Sequence, residues 1–197
     1  MTIDPQTTAI VAMDFQSSIL RSLEDAKPVL TKVSSAITAT RGAGGRVAFV
    51  RLAITAEELD AFPAQSPMGQ RLLPAAAHFA PEAAGTLVVP ELEKRSGDLE
   101  VRKTRVGPFL RTALHQQLQE LGITTIVFVG VQTSGCVLTG VRVAHDLDYR
   151  VIVLSDGCAD PDVPTHAFLM NTIFPKQATV MTVNEYEEAL ARAPARP

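Results

Sequence analysis

The stretch Ile126-Val127-Phe128-Val129-Gly130-Val131-Gln132-Thr133-Ser134-Gly135-Cys136-Val137-Leu138-Thr139-Gly140 decides the fold. A short run of β-branched and apolar residues stops at a glycine, and a few small polar residues follow. Cys136 then opens a segment in which Val137, Val141, Ala144 and Leu147 recur at helical spacing. The reading is strand, tight turn, helix. A thiol at the first turn of a helix faces unpaired backbone N–H groups and the positive end of the macrodipole, which favour its thiolate. Cys136 is therefore the candidate nucleophile, with a lowered pKa expected.

Upstream, Thr8 to Asp14 is an almost wholly apolar run that ends in an acid, as expected of a strand buried on both faces of a parallel sheet. Pro28 sits just inside a helical pattern through Val29, Val33 and Ile37, which closes in Gly42-Ala43-Gly44-Gly45. Arg46 to Leu52 is a second strand. From Ala53 to Gly85 the pattern weakens: Thr55-Ala56-Glu57-Glu58 has the form of a capping box, and Pro63, Pro67, Pro74 and Pro81 interrupt the rest. A connection this long serves as a lid or an oligomer contact, or simply as a surface excursion.

Thr86 to Val89 and Leu99 to Arg102 are short strand candidates, the latter ending at Lys103. Pro108 starts a helical pattern through Phe109, Leu110, Leu114, Leu118 and Leu121, closed by Gly122. After the Cys136 helix, Arg150 to Ser155 is another strand, leading into Asp156-Gly157-Cys158-Ala159-Asp160. Val163 to Phe174 reads as helix and Ala178 to Thr182 as a last strand. Thr182-Val183-Asn184-Glu185 is a second capping box opening a terminal helix, with a frayed tail from Ala193. Strands alternating with helices, without repeats or a linker, predict one three-layer α/β/α (Rossmann-like) domain over residues 1–197 with a mainly parallel central sheet.

Composition narrows the function. Among 197 residues, 46% are hydrophobic and 20% charged, and 18 basic against 21 acidic residues leave a net charge of -3. That balance gives no reason to expect nucleic acid or an anionic membrane as partner. The first residues lack the form of a signal peptide and no apolar run approaches a membrane span, so a cytoplasmic protein is expected. Cys136 and Cys158 are too few for a disulfide framework. Cys158, with no cation or base indicated nearby, is expected to be packed rather than reactive.

Two motif matches mislead, and the histidines form no motif. Gly130 to Gly135 has the glycine spacing of a P-loop, but Cys136 and Val137 stand where lysine and a hydroxyl residue belong. Cys136 and Arg142 match a Cys-x5-Arg phosphatase spacing, yet the five intervening residues carry helical periodicity, which turns Arg142 away. His78, His115, His145 and His166 are scattered, so neither a metal nor another cofactor is expected.

A parallel sheet lines its strand C-termini along one edge, where ligands bind. Asp14, Lys103 and Cys136 all stand at or near such ends, so a base, a cation and a thiol are expected to meet. Here the chain resembles a known family, the isochorismatase-like cysteine hydrolases. Ala9-Ile10-Val11-Ala12-Met13-Asp14-Phe15-Gln16 is similar to the family's first strand and general-base aspartate. Gly97 to Lys103, followed by Phe109, resembles its lysine segment, and Gly130 to Val137 its nucleophile turn. Tyr149-Arg150-Val151 with Asp156 matches the strand after it.

The resemblance implies a catalytic triad of Asp14, Lys103 and Cys136. It also implies a cis peptide before Gln132, turning the backbone N–H groups of Gln132 and Cys136 into an oxyanion hole. Phe15, Gln132, Thr133 and His166 are expected to line the substrate pocket. Arg105 would meet a substrate carboxylate or, more simply, form a surface salt bridge. Metal-assisted nicotinamidases of this superfamily carry an Asp-x-His motif where this chain reads Arg51-Leu52-Ala53-Ile54-Thr55, which disfavours that activity. True isochorismatases can lack the cysteine, so Cys136 favours C–N hydrolysis of a small amide, ureido or carbamoyl compound through a thioester. The alternative is a catalytically silent relative serving as a binding or assembly protein. A small-molecule substrate and a homo-oligomer are the expected partners.

Overall fold

The computed structural model describes residues 2–192. Six strands form one wholly parallel sheet: β1 (Thr8–Met13), β2 (Arg46–Leu52), β3 (Leu99–Lys103), β4 (Thr125–Val131), β5 (Arg150–Ala159) and β6 (Thr179–Met181). Their order is β3-β2-β1-β4-β5-β6. The chain therefore builds outward from β1 to one edge, crosses back to β4, and builds to the other. β1 and β4 are the neighbours where the winding reverses, so their C-terminal ends open onto the crevice in which such sheets bind ligands.

Every residue of β1 and β4 is buried, as apolar runs in a sheet covered on both faces require. Alternation divides them between two cores. Ala9, Val11 and Met13 pack on one face with Leu114 and Leu118 of α5 (Leu114–Glu120) and Val141 and Ala144 of α6 (Leu138–Asp146). Ile10 and Ala12 pack on the other with Val29, Val33 and Ile37 of α2 (Lys27–Gly42) and Tyr186 and Leu190 of α8 (Val183–Ala191). The remaining helices are short: α1 (Ser17–Leu20), α3 (Ala56–Asp60), α4 (Pro67–Leu72) and α7 (Val163–Phe168). Both capping boxes form, at Thr55 with Glu58 and at Thr182 with Glu185. Among the described residues no helix is long and apolar enough to cross a membrane.

Three sequence expectations change. Thr86 to Val89 is not a strand of the sheet: Val88 makes one antiparallel bridge to Gln16, and Val89 donates its N–H to the carbonyl of Phe15 at 3.0 Å. Val89 is buried and Val88 partly buried against the α2 core, which needs no ladder, while Leu87 is 47% exposed. The helix expected from Pro108 begins only at Leu114; Arg111 adopts φ 59° and breaks it. β5 runs on to Ala159, past the expected end at Ser155, with a register shift against β4 between Phe128 and Gly130. The tail from Ala193 lies outside the described residues.

Candidate active site

Asp14 follows β1 directly, and its backbone is left-handed at φ 63°. That conformation is uncommon for a non-glycine residue and carries a local energetic cost, so the surrounding structure must hold it. Its N–H donates to Val50 of β2 at 2.8 Å. The next residues complete the anchor: Gln16, fully buried, donates from Nε2 to the carbonyls of Leu52 and Thr86, each at 2.8 Å. Its Oε1 accepts from the Leu52 N–H at 2.7 Å.

Lys103 ends β3, paired with Leu52 of β2, so its side chain must pass the end of β2 to reach β1. Two strand spacings are about 10 Å, within a lysine's reach when its backbone leans inward. Nζ arrives 2.6 Å from Asp14 Oδ2 and donates to the carbonyl of Val106, also at 2.6 Å. Asp14 Oδ1 has no hydrogen-bond partner among the described residues.

Cys136 lies in a wide, π-type turn, Thr133–Val137, that feeds α6. The peptide between Val131 and Gln132 at the head of this turn is cis. Sγ lies 3.6 Å from the carbonyl of Gln132. The Asp14 carboxyl lies within electrostatic and hydrogen-bonding reach of the thiol. Gly130 permits the approach: a Cβ there would stand 3.1 Å from both Cβ and O of Met13 and 3.2 Å from Val137 Cγ2.

The surroundings reverse one expectation. Burial, and then the Asp14 carboxylate, push the Cys136 thiol well up, with Lys103 opposing. A lowered pKa was expected from the helix terminus, but a thiol only 2% exposed loses more from desolvation than one turn of dipole returns. Burial also raises the Asp14 carboxyl, against the pull of Lys103. Burial thus opposes ionisation of both the thiol and the carboxyl.

The other expected residues separate. Phe15, 2% exposed, packs in the core with Val29 and Val33 of α2. Gln132 reaches toward Ser22, Nε2 to Oγ 3.5 Å. Thr133 is fully buried, its hydroxyl 2.8 Å from His166 Nδ1. His166, its pKa lowered by burial, borders a groove of about 1100 Å³ between α2 and the end of β5, shared with Lys32, Asp156, Cys158 and Asp160. Asp14, Lys103 and Cys136 do not line that groove. Cys158 is buried, with its thiol pushed up to about 12 by desolvation.

Asp160 is the residue whose part the sequence left unassigned. It follows β5, and its Oδ2 accepts from the Ser134 N–H at 2.8 Å and the Ser134 hydroxyl at 2.6 Å, while Oδ1 accepts from the Asp162 N–H at 3.1 Å. It ties down the middle of the Cys136 turn. Its place just past a strand end beside the nucleophile was the available signal. Among the described residues no three His, Cys, Asp or Glu side chains are grouped so as to hold a metal ion.

Known proteins similar to this chain in sequence or fold are numerous. The family model described as the Isochorismatase domain matches residues 8–185. The isochorismatase family protein YecD of Escherichia coli O157:H7 is 29% identical over 193 residues, spanning 95% of this chain and 98% of that one. The ureidoacrylate amidohydrolase RutB of Acinetobacter baylyi is 28% identical over 174 residues, spanning 78% of this chain and 71% of that one. The structure of an isochorismatase family protein from Burkholderia thailandensis superposes with a TM-score of 0.81 at 27% identity, covering 96% of this chain and 98% of that one.

Proposed function

The chain belongs to the isochorismatase family, and we propose that it is a cysteine-dependent amidohydrolase cleaving a C–N bond of a small ureido, carbamoyl or amide compound. A hydrolase, and broadly an amidohydrolase, is the activity its relatives support. The cysteine mechanism rests on one observation above others: Lys103 occupies Asp14 Oδ2 and leaves Oδ1 free of a geometric hydrogen bond among the described residues, within electrostatic reach of the Cys136 thiol.

In this reading Asp14 takes the Cys136 proton as Sγ attacks the carbonyl carbon, so no free thiolate need accumulate. The oxyanion falls to the backbone N–H groups of Gln132 and Cys136. Asp14 returns the proton to the departing nitrogen, leaving a thioester on Cys136. It then deprotonates a water that attacks the thioester, and the acid leaves as Cys136 regains a proton. Lys103 holds the Asp14 carboxylate through both halves.

The test is ammonia release from a panel of ureido acids, carbamoyl amino acids and small amides, by the protein and its Cys136→Ala and Cys136→Ser variants. Turnover of a panel member that vanishes in both variants is expected. Turnover that persists in Cys136→Ala overturns the covalent mechanism. One observation favours a second reading, a silent binding protein: Asp14, Lys103 and Cys136 are only 5%, 1% and 2% exposed. No turnover of any panel member, with Cys136 inert to alkylation, selects it.

A further inference from the structure

Lys103 and Arg105 stand two residues apart, yet only Lys103 has an anionic partner among the described residues. Arg105 lays its guanidinium over the Phe62 ring, Cζ 3.6 Å from the centroid, and donates one N–H to the carbonyl of Thr104 at 2.8 Å. The nearby acid, Glu58, is already held by both arms of Arg102 at 2.5 and 2.8 Å. Arg111 likewise forms no ion pair among the described residues, and its charge acts against that of Arg105. The salt bridge expected for Arg105 is therefore not made. The two guanidiniums repel each other at this rim, and Glu58 offsets part of that charge at Arg105 without pairing with it.

The rim adjoins the candidate nucleophile. The backbone from Thr104 to Val106 folds over the Lys103 ammonium, whose Nζ meets the Val106 carbonyl at 2.6 Å. The Val106 side chain in turn lies 3.9 Å from where a Cβ on Gly135 would stand, in the turn that carries Cys136. Stacking on Phe62 covers a face of the guanidinium and leaves its N–H edge in plane. A guanidinium so fixed is pre-organised for a planar anion that takes two parallel hydrogen bonds.

We propose that Arg105 is a specificity-determining residue that grips a carboxylate on the substrate, so that the preferred substrates are ureido or carbamoyl acids rather than neutral amides. This deepens the amidohydrolase reading and rests on it for the reaction, but not for the binding. A carboxylate presents both oxygens to a single fork, and Arg111 adds long-range attraction for the same charge.

The test pairs ureidoacetate with its methyl ester, in wild-type protein and in Arg105→Gln and Arg105→Lys. Hydrolysis is followed by ammonia release, and binding by calorimetry on the Cys136→Ser variant with and without each Arg105 substitution. Arg105→Gln is expected to lower kcat/KM for the acid about 10- to 100-fold, mainly through KM, and to leave the ester unchanged. Arg105→Lys should recover only part, because it keeps the charge without the fork. Equal losses on acid and ester, or no loss, overturn the proposal and leave Arg105 as packing for Phe62. Displacement of ureidoacetate by inorganic phosphate at equal concentration also overturns it, since the site would then take phosphate. Arg105-dependent binding of ureidoacetate without turnover supports the carboxylate site while refuting hydrolysis. Absence of such binding refutes the site whether or not turnover occurs.

Discussion

Asp14 and Lys103, 89 residues apart in sequence, form an ion pair of 2.6 Å in which the two residues are 5% and 1% exposed. A buried pair of this kind adds little net stability, but breaking it is costly, since the remaining charge has no solvent.

Lys103→Met is therefore expected to lower stability at neutral pH by about 3–5 kcal/mol, and Asp14→Asn added to it should restore part of that loss. The sign with pH follows from the carboxyl. Without its cation the folded pKa of Asp14 rises further above the unfolded value, so stability is retained below the unfolded pKa and lost as pH rises through the folded one. The Lys103→Met deficit should thus shrink on acidification toward pH 4. Urea titrations across pH measure it; a deficit independent of pH would show that Asp14 does not carry the stranded charge.

Gln16 holds the ends of β1 and β2 and the turn at Thr86 together through three hydrogen bonds. At roughly 1 kcal/mol each, with the Leu52 N–H left unsatisfied, Gln16→Ala should cost about 3–4 kcal/mol. A change below about 1 kcal/mol in chemical denaturation would mean water replaces the side chain without loss.

Asp160 should matter to turnover more than to binding. Asp160→Ala frees the Ser134 N–H and hydroxyl, and is expected to lower kcat about 10- to 100-fold with KM little changed, because the Cys136 turn loses its fixed position. Asp160→Asn keeps one acceptor for Ser134 and should fall between. The alkylation rate of Cys136 gives a second readout; a variant with unchanged alkylation and kcat would reduce Asp160 to a cap for its own loop.

Cys158 keeps its proton to about pH 12 in the folded protein, whereas an unfolded thiol loses it near 9. A raised acid pKa contributes stability that is intact below the unfolded value and is lost as pH climbs toward the folded one. Between pH 9 and 11 Cys158 alone should remove about 2 kcal/mol. Cys158→Ala, less stable at pH 7 through a small cavity, should lose less over that interval. Parallel curves for the two proteins would place the alkaline loss elsewhere.

The order of strands and helices was legible because burial on both faces writes continuous apolar runs, as in Thr8–Met13 and Thr125–Val131. The turn at Gly130 to Cys136 was legible because a glycine closes the apolar run, where a Cβ would crowd Met13 at 3.1 Å. Thr86 to Val89 misleads because a short apolar run looks alike whether a strand or a loop packed through Val88 and Val89 holds it. The helical pattern from Pro108 fails over 108–113 because the left-handed backbone at Arg111 interrupts it, which periodicity does not register.

By itself the sequence determined the α/β/α architecture, the family, and which acid, amine and thiol stand at strand ends, since periodicity and short motifs are local properties of the chain. The tertiary structure decided the rest. It showed that Lys103 spans β2 to reach Asp14, that Asp160 holds the Cys136 turn, that Arg105 has no ion pair among the described residues, and that burial pushes the Cys136 thiol up. These depend on desolvation and on contacts between residues far apart in the chain, and neither quantity is written in local sequence.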